Sequence, residues 1–191
     1  MEEMEREGIE RLAEEFLSGV PSYVWDGESL PPVEDIAGSH VGLLVRDVED
    51  LSCAPGAPSA QVGPTLSGLL LPMLGEIWVN ADEARRWPPR WRFTIAHELG
   101  HWSLHRDAEQ PVYCRSTSVD RDEARPPIPH HEDQANVFAA AVLMPARLVR
   151  EQYLKLERDF FSLCDAIGAS GAAMGRRLHA VVSPGRADAA R

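Results

Sequence analysis

The sequence predicts an α+β fold in which helices precede and follow a small antiparallel sheet. Apolar residues recur at three- and four-residue spacings over residues 4–19, which is typical of an amphipathic helix. Short apolar segments between residues 41 and 82 have the composition of strands. Helical spacing returns from Trp91 onward. This order places the sheet between two groups of helices.

The first half of the chain is expected to form two helices and three strands. The first helix ends at Gly19, because Gly favours the turn after a helix and Pro21 cannot continue it. A short second helix follows the Pro-Pro pair at 31–32. The strands are predicted at 41–48, 66–74 and 75–82. The last two strands are adjacent in sequence and are expected to form a hairpin.

The second half of the chain is expected to be helical apart from a long polar loop over 107–131. One helix covers 91–105, and another covers 132–144 and is stopped by Pro145. Further helices are predicted at 146–156, 160–168 and 168–182. Ser170 is a candidate N-cap of the last helix.

These elements indicate three parts of the chain. We expect a main domain over 1–145, a C-terminal helical extension over 146–182 and a disordered tail over 183–191. The last helix pair is similar to a helix-turn-helix, but Arg176 and Arg177 alone are weak support for DNA reading.

The charge distribution excludes several function classes. The formal net charge is −11, and residues 1–50 account for all of it with 14 acidic and 3 basic side chains. The chain therefore lacks a broad basic face for nucleic-acid backbones. No apolar stretch reaches the ~18 residues of a membrane helix, and the acidic start is unlike a secretory signal. We expect a cytoplasmic protein whose acidic N-terminal part is solvated or docks a basic partner.

The segment HELGH at 97–101 carries the chemistry that this sequence predicts. It matches the H-E-x-x-H template, in which two His four residues apart lie on one helix face and bind one ion. Glu98, beside the first ligand, is placed to take a proton from the nucleophilic water. Gly100 weakens the helix, so close approach of another backbone is a reason to keep it.

A zinc site for hydrolysis needs a third protein ligand, and the sequence offers three candidates. A metzincin pattern would place a Gly at Leu104 and a His at Asp107, so it does not fit. His105 stays on the same helix and is better explained as a residue that supports a ligand. Glu132 opens the next strong helix and is the best candidate. Asn136, four residues later, can hold the free ring nitrogen of a liganding His.

Weaker candidates complete the predicted site. His130 and His131 precede Glu132, and a loop His there can stabilise an oxyanion, although two exposed loop His are the simpler interpretation. Tyr113 is an equally weak candidate for the same role. Residues 76–80 are predicted to form a sheet edge that pairs with an extended substrate, with Ile77 as one of the backbone donors.

Five segments together resemble the ImmA/IrrE metallopeptidases. The two most specific segments are RFTIAHELGHWSLH at 92–105 and EDQANVFAAAVLMP at 132–145. The weaker ones are LPPVEDIA at 30–37, GEIWVNAD at 75–82 and FFSLCDAIGASGAAMGRRL at 160–178. The resemblance covers roughly residues 30 to 180.

The resemblance implies a zincin-like fold with the HExxH helix packed on the small sheet. It implies that the third metal ligand is Glu132, in the family's E..AN.FA segment. It also implies cleavage of helix-turn-helix repressors of the XRE type, which relieves repression. The expected cofactor is zinc, with manganese or another divalent ion as the alternative.

Two functions follow from these observations. The first is a zinc-dependent endopeptidase that cleaves a repressor at a specific site. The alternative is a regulatory protein that keeps the metal fold and sequesters the repressor without cutting it. The intact Glu98 favours the peptidase, because a pure binder has no chemical need for a carboxylate beside the ligand.

Overall fold

The computed structural model describes residues 3–55, 66–105, 112–115 and 129–182. Their contacts divide the chain into two compact units, Met1–Leu143 and Met144–Arg191. The predicted tail at 183–191 lies outside the described residues.

The first unit begins with two helical segments. Helix α1, Glu3–Ser18, buries Ile9, Ala13 and Leu17 on the apolar face that its spacing predicts. Helix α2, Val33–Asp35, continues into a π-helical turn at Ile36–Val41. Both segments confirm the predicted helices, and α1 packs on a helix from later in the chain.

A mixed sheet of four strands forms the middle of this unit. Its strands are β1 Leu44–Val48, β2 Leu66–Leu71, β3 Glu76–Asn80 and β4 Val112–Arg115, in the order β1-β3-β2-β4. Strand β3 pairs antiparallel with β2 and parallel with β1, and β2 pairs antiparallel with β4. The α+β class is confirmed. The sheet is mixed where the sequence predicted an antiparallel one, because β1 joins β3 in the parallel direction.

The position of β3 also corrects the predicted substrate edge. Residues 76–80 lie between β1 and β2, so their backbone groups already pair on both sides. Ile77 is fully buried there and offers no free edge to a peptide. The physical reason is that β1 fills the side of β3 that the β2–β3 hairpin leaves open, beginning with the bond from Leu44 N–H to the Gly75 carbonyl.

Strand β2 is buried on both faces, which explains its continuous apolar sequence. Leu69 and Leu71 pack with Leu51 and Ala54 on one face. On the other face, Gly68 lies against the helix that carries HELGH. The sheet therefore packs on that helix, as the resemblance implies.

Two long helices follow β3, and β4 lies between them in the sequence. Short helix α3, Ala81–Arg86, is capped by Asn80, whose side chain accepts from the N–H groups of Asp82 and Glu83. Helix α4, Pro88–His105, begins three residues before the predicted start at Trp91. Helix α5, His130–Leu143, is the second strong helix.

The predicted loop over 107–131 is wrong at two places. Strand β4 lies inside it, because four residues that pair with β2 are too few to stand out in a polar sequence. His130 and His131 belong to the first turn of α5, whose start is fixed by bonds from the N–H groups of Glu132 and Asp133 to the Pro129 carbonyl. They are helical residues and not loop residues.

The described part of the second unit contains three helices, α6 Ala146–Lys155, α7 Phe160–Ile167 and α8 Gly171–Val182. Ser170 caps α8 as predicted, since its Oγ accepts from the Ala173 N–H at 3.2 Å. Arg177 is buried, and its Nε donates to the Met144 carbonyl at 2.7 Å. That guanidinium is therefore engaged inside the unit, which weakens the case for DNA reading further. Among the described residues, no helix has the length and apolar character that crossing a membrane requires.

Candidate metal centre

The site forms where α4 and α5 approach each other closely. A Cβ added at Gly100 would lie 3.1 Å from both Cα and the carbonyl oxygen of Ala135. Real Cβ atoms rarely lie this close to backbone, so a side chain at this position would require the two helices to move apart by a few tenths of an ångström. The expectation that another backbone approaches Gly100 is confirmed. The contact brings the HELGH face of α4 against the first turns of α5.

Three side chains converge at this contact. His97 Nε2 lies 3.0 Å from His101 Nε2 and 3.2 Å from Glu132 Oε2. His101 Nε2 lies 3.3 Å from Glu132 Oε1. Both imidazoles are buried, and the Glu132 side chain is 19% exposed. Within the described residues these three form a group whose ligand atoms all lie within 4.8 Å of one another.

The charge states of these groups fit a divalent cation. Burial is the main cause that lowers the pKa of His101, and the opposing effect of Glu132 is smaller. Burial raises the pKa of Glu132, but its contacts with His101 and His97 lower it more, so the carboxyl stays ionised. Two imidazoles and one carboxylate are a donor set of catalytic zinc sites. Two ring nitrogens 3.0 Å apart also need a proton or cation between their lone pairs.

Glu98 lies on another side of the same helix, against β2. Its side chain is fully buried, and neither carboxylate oxygen has a hydrogen-bond partner among the described residues. Burial raises its pKa well above the ordinary value, and the nearby negative charge of Glu132 adds to this effect. The backbone N–H of Leu70 lowers the pKa and is the smallest of the three causes; it does not form a hydrogen bond of ordinary geometry with either oxygen. An unpartnered buried carboxylate is costly, so Glu98 fits a site where a polar ligand completes its contacts.

The outer ring nitrogens of both His are held by neighbours. His97 Nδ1 lies 3.1 Å from Asn136 Oδ1, which is the contact predicted from the sequence. His101 Nδ1 lies 3.1 Å from His105 Nδ1. His105 thus contacts a candidate ligand and is not part of the converging group.

His130 and His131, the two neighbouring His of α5, contact different parts of the protein. His131 Nε2 lies 3.5 Å from Glu132 Oε1, and its side chain is 52% exposed beside the site. His130 Nε2 instead lies 2.7 Å from Glu5 Oε1, on the side of α1. The side chain of Tyr113 lies outside the described part of the chain.

Sequence reasoning missed two polar residues near the site. Gln134 Oε1 lies 2.7 Å from His105 Nε2, and Gln134 Nε2 donates to Glu5 Oε1. Gln134 lies two residues after Glu132, and its closeness to Glu132 was the only available signal. For Glu5, 129 positions away from Gln134, the sequence holds no signal.

The sequence and the fold of this chain are similar to those of known proteins. Residues 75–179 match the peptidase family described as the IrrE N-terminal-like domain. A solved structure, a Mycobacterium tuberculosis transcriptional regulator, is similar with a TM-score of 0.52 and 18% sequence identity. The alignment covers 97% of this chain and 49% of that one, so this chain spans about half the length of the regulator. At this identity the likeness concerns the fold alone. No curated protein matches the sequence.

Proposed function

Because the chain belongs to the peptidase family of IrrE N-terminal-like domains, we propose that it is a zinc-dependent endopeptidase acting on a transcriptional repressor of the XRE helix-turn-helix type. The observation that carries this proposal is the convergence of two imidazoles and a carboxylate beside the unpartnered carboxylate of Glu98. The family implies a divalent ion. Zinc suits the nitrogen-rich donor set, and manganese is the alternative.

Each of these side chains has a separate task. His97, His101 and Glu132 would hold the ion. When bound, it polarises the scissile carbonyl and makes water a better nucleophile at neutral pH. Glu98 accepts the proton of the attacking water and passes it to the leaving amine. We assign contact with the developing oxyanion to His131, whose exposed side chain lies next to Glu132.

A peptide substrate in extended form would add to an outer strand of the sheet. In the described part of the chain the outer strands are β1 and β4. Strand β4 pairs with β2, whose Gly68 lies against Thr94 and Glu98. We therefore place the substrate at β4 rather than at residues 76–80. Selectivity would come from a second contact surface, and the acidic residues of positions 1–50 suit a DNA-binding partner with a basic face.

The non-cleaving binding protein remains the second candidate. It would keep the ion and the partner, and it would need neither Glu98 nor an open position at the metal. The carboxylate of Glu98 is buried without a hydrogen-bond partner in the described part of the chain. This favours the peptidase, because such an arrangement lowers stability and serves no purpose in a binder.

Cleavage of a purified repressor by the zinc-loaded chain tests the proposal. Glu98→Gln keeps the shape of the side chain but cannot accept a proton, so we expect a rate lower by about 10²–10⁴-fold with metal content and partner binding retained. Asp165→Asn, a loss of one charge at an exposed position of α7 outside the acidic N-terminal part, should cut at the wild-type rate. A Glu98→Gln variant that cleaves at the wild-type rate contradicts the role of Glu98. A wild-type chain that binds the repressor and never cuts it supports the alternative.

A further inference from the structure

We propose that helix α1 belongs to the metal centre, because its Glu5 ends a directional hydrogen-bond chain that begins at His101 and passes through His105 and Gln134. This inference rests on the metal site of the proposed function. It assigns His105, Gln134 and Glu5 as positioning residues, which act on the ion through His101.

The donors and acceptors of this chain match at every step. A His101 that binds an ion through Nε2 carries its proton on Nδ1, which donates to His105 Nδ1 at 3.1 Å. His105 then carries its own proton on Nε2 and donates to Gln134 Oε1 at 2.7 Å. The Gln134 amide nitrogen donates to Glu5 Oε1. With an ion bound at Nε2 of His101, the rings of His101 and His105 therefore each have one tautomer that satisfies these contacts.

A carboxylate is the natural end of such a chain. Glu5 accepts and cannot donate when ionised, so it fixes the direction of every bond before it. His130 Nε2 lies 2.7 Å from the same Glu5 oxygen and holds that carboxylate in place. An anion at the end of the chain also makes the ring of His101 a stronger donor to a cation. His97 reaches the same state more simply, through Asn136 Oδ1 at 3.1 Å.

The hydrogen-bond chain gives a structural role to a part of the protein that lies outside the family match. The match begins at residue 75, whereas Glu5 lies in the first helix. Helix α1 packs on α5, which carries both Gln134 and the ligand Glu132. The first helix thus touches the metal centre through hydrogen bonds as well as through apolar packing.

The tautomers of the His rings test the proposal directly, without a variant and without a substrate. Nitrogen-15 NMR of the wild-type chain distinguishes a ring proton on Nδ1 from one on Nε2. We expect the His105 proton on Nε2 in both the metal-free and the zinc-loaded protein, and the His101 proton on Nδ1 in the zinc-loaded protein. A His105 proton on Nδ1 overturns the proposal. The positions of the ring protons do not depend on peptidase activity. A failure of this proposal can therefore be distinguished from a failure of the proposed function.

Zinc affinity of variants provides the second test, measured by competition with a chelator alongside the thermal midpoint. Gln134→Leu removes both amide contacts at similar size, and we expect about tenfold weaker zinc binding. Glu5→Gln keeps an acceptor oxygen and loses the charge, so a smaller, few-fold loss is expected. Glu14→Gln removes one charge from an exposed position of the same helix and should leave affinity unchanged.

These variants decide the question in either direction. Weaker zinc binding by Gln134→Leu and Glu5→Gln with unchanged Glu14→Gln supports the directional chain. Wild-type affinity in both folded variants overturns it, and so does an equal loss in Glu14→Gln, which indicates a general charge effect. If Gln134→Leu does not fold, the comparison of Glu5→Gln with Glu14→Gln decides alone.

Discussion

Two sides of helix α4 differ in how their polar groups are held. On the side of α5, His97 and His101 each have a fixed neighbour for the outer ring nitrogen, Asn136 and His105. On the side of β2, Glu98 is buried with no hydrogen-bond partner among the described residues. The difference matches the proposed tasks. Ligands must keep one orientation and one tautomer, whereas a group that accepts and returns a proton needs free lone pairs.

Removal of a metal ligand has the largest expected effect, because both metal binding and catalysis by Glu98 depend on the ion. His101→Ala takes away one of the three donor groups, so we expect zinc binding and repressor cleavage to be lost together. Glu98→Gln should lose cleavage only. Metal content by elemental analysis and cleavage assays on both variants make this comparison. Cleavage by a His101→Ala chain that contains no metal contradicts the account.

A second prediction concerns the spacing of α4 and α5. Gly100→Val pushes a side chain against the Ala135 backbone, and overpacking of this kind lowers the free energy of unfolding by about 1–3 kcal/mol. Because the spacing also sets the distance from Glu132 to the two His, zinc affinity should fall as well. The control is Gly175→Val in α8, where an added Cβ meets no atom within 4 Å. Denaturant unfolding should show a change within about 0.5 kcal/mol there.

The sequence predicted the residues of the metal site better than the strand pairing and the contacts of α1 around it. The spacing of His97 and His101 depends only on helix geometry, and so does the relation of Glu132 to Asn136. The hairpin of β2 and β3 is also local and was predicted. The parallel pairing of β1 with β3 joins strands that are far apart in sequence, and alternation of residue types does not encode which strands become neighbours. The link from Glu5 to Gln134 was missed for the same reason.

A substitution of Asn136 affects the orientation of His97 and leaves the surroundings of Glu98 unchanged. Asn136→Ala removes the oxygen that faces His97 Nδ1, so the ring loses its preferred tautomer and orientation. We expect about tenfold weaker zinc binding, read from chelator competition, with the fold retained. Asp133→Asn on the same helix is the matched control and should bind zinc as the wild type does. Equal affinity of Asn136→Ala and wild type argues that packing alone orients His97.

The smallest expected effect concerns the stability of the metal-free chain as pH changes. The pKa of Glu98 is raised in the folded state, so its stabilising contribution is present below the ordinary carboxyl pKa and is lost as pH rises through the raised value. Glu98→Gln has no such loss. The thermal midpoint of the variant relative to wild type should therefore increase with pH. A constant difference across the acidic to neutral range contradicts the buried, unpartnered state of Glu98.

The central claim is that one divalent ion binds through His97, His101 and Glu132. A crystal structure of the zinc-loaded chain, with anomalous diffraction at the zinc edge, tests it most directly. We predict one ion held by Nε2 of both His and by the Glu132 carboxylate, with a further position open on the side of Glu98. An ion bound through His105 or Asp107 in place of Glu132 contradicts the account.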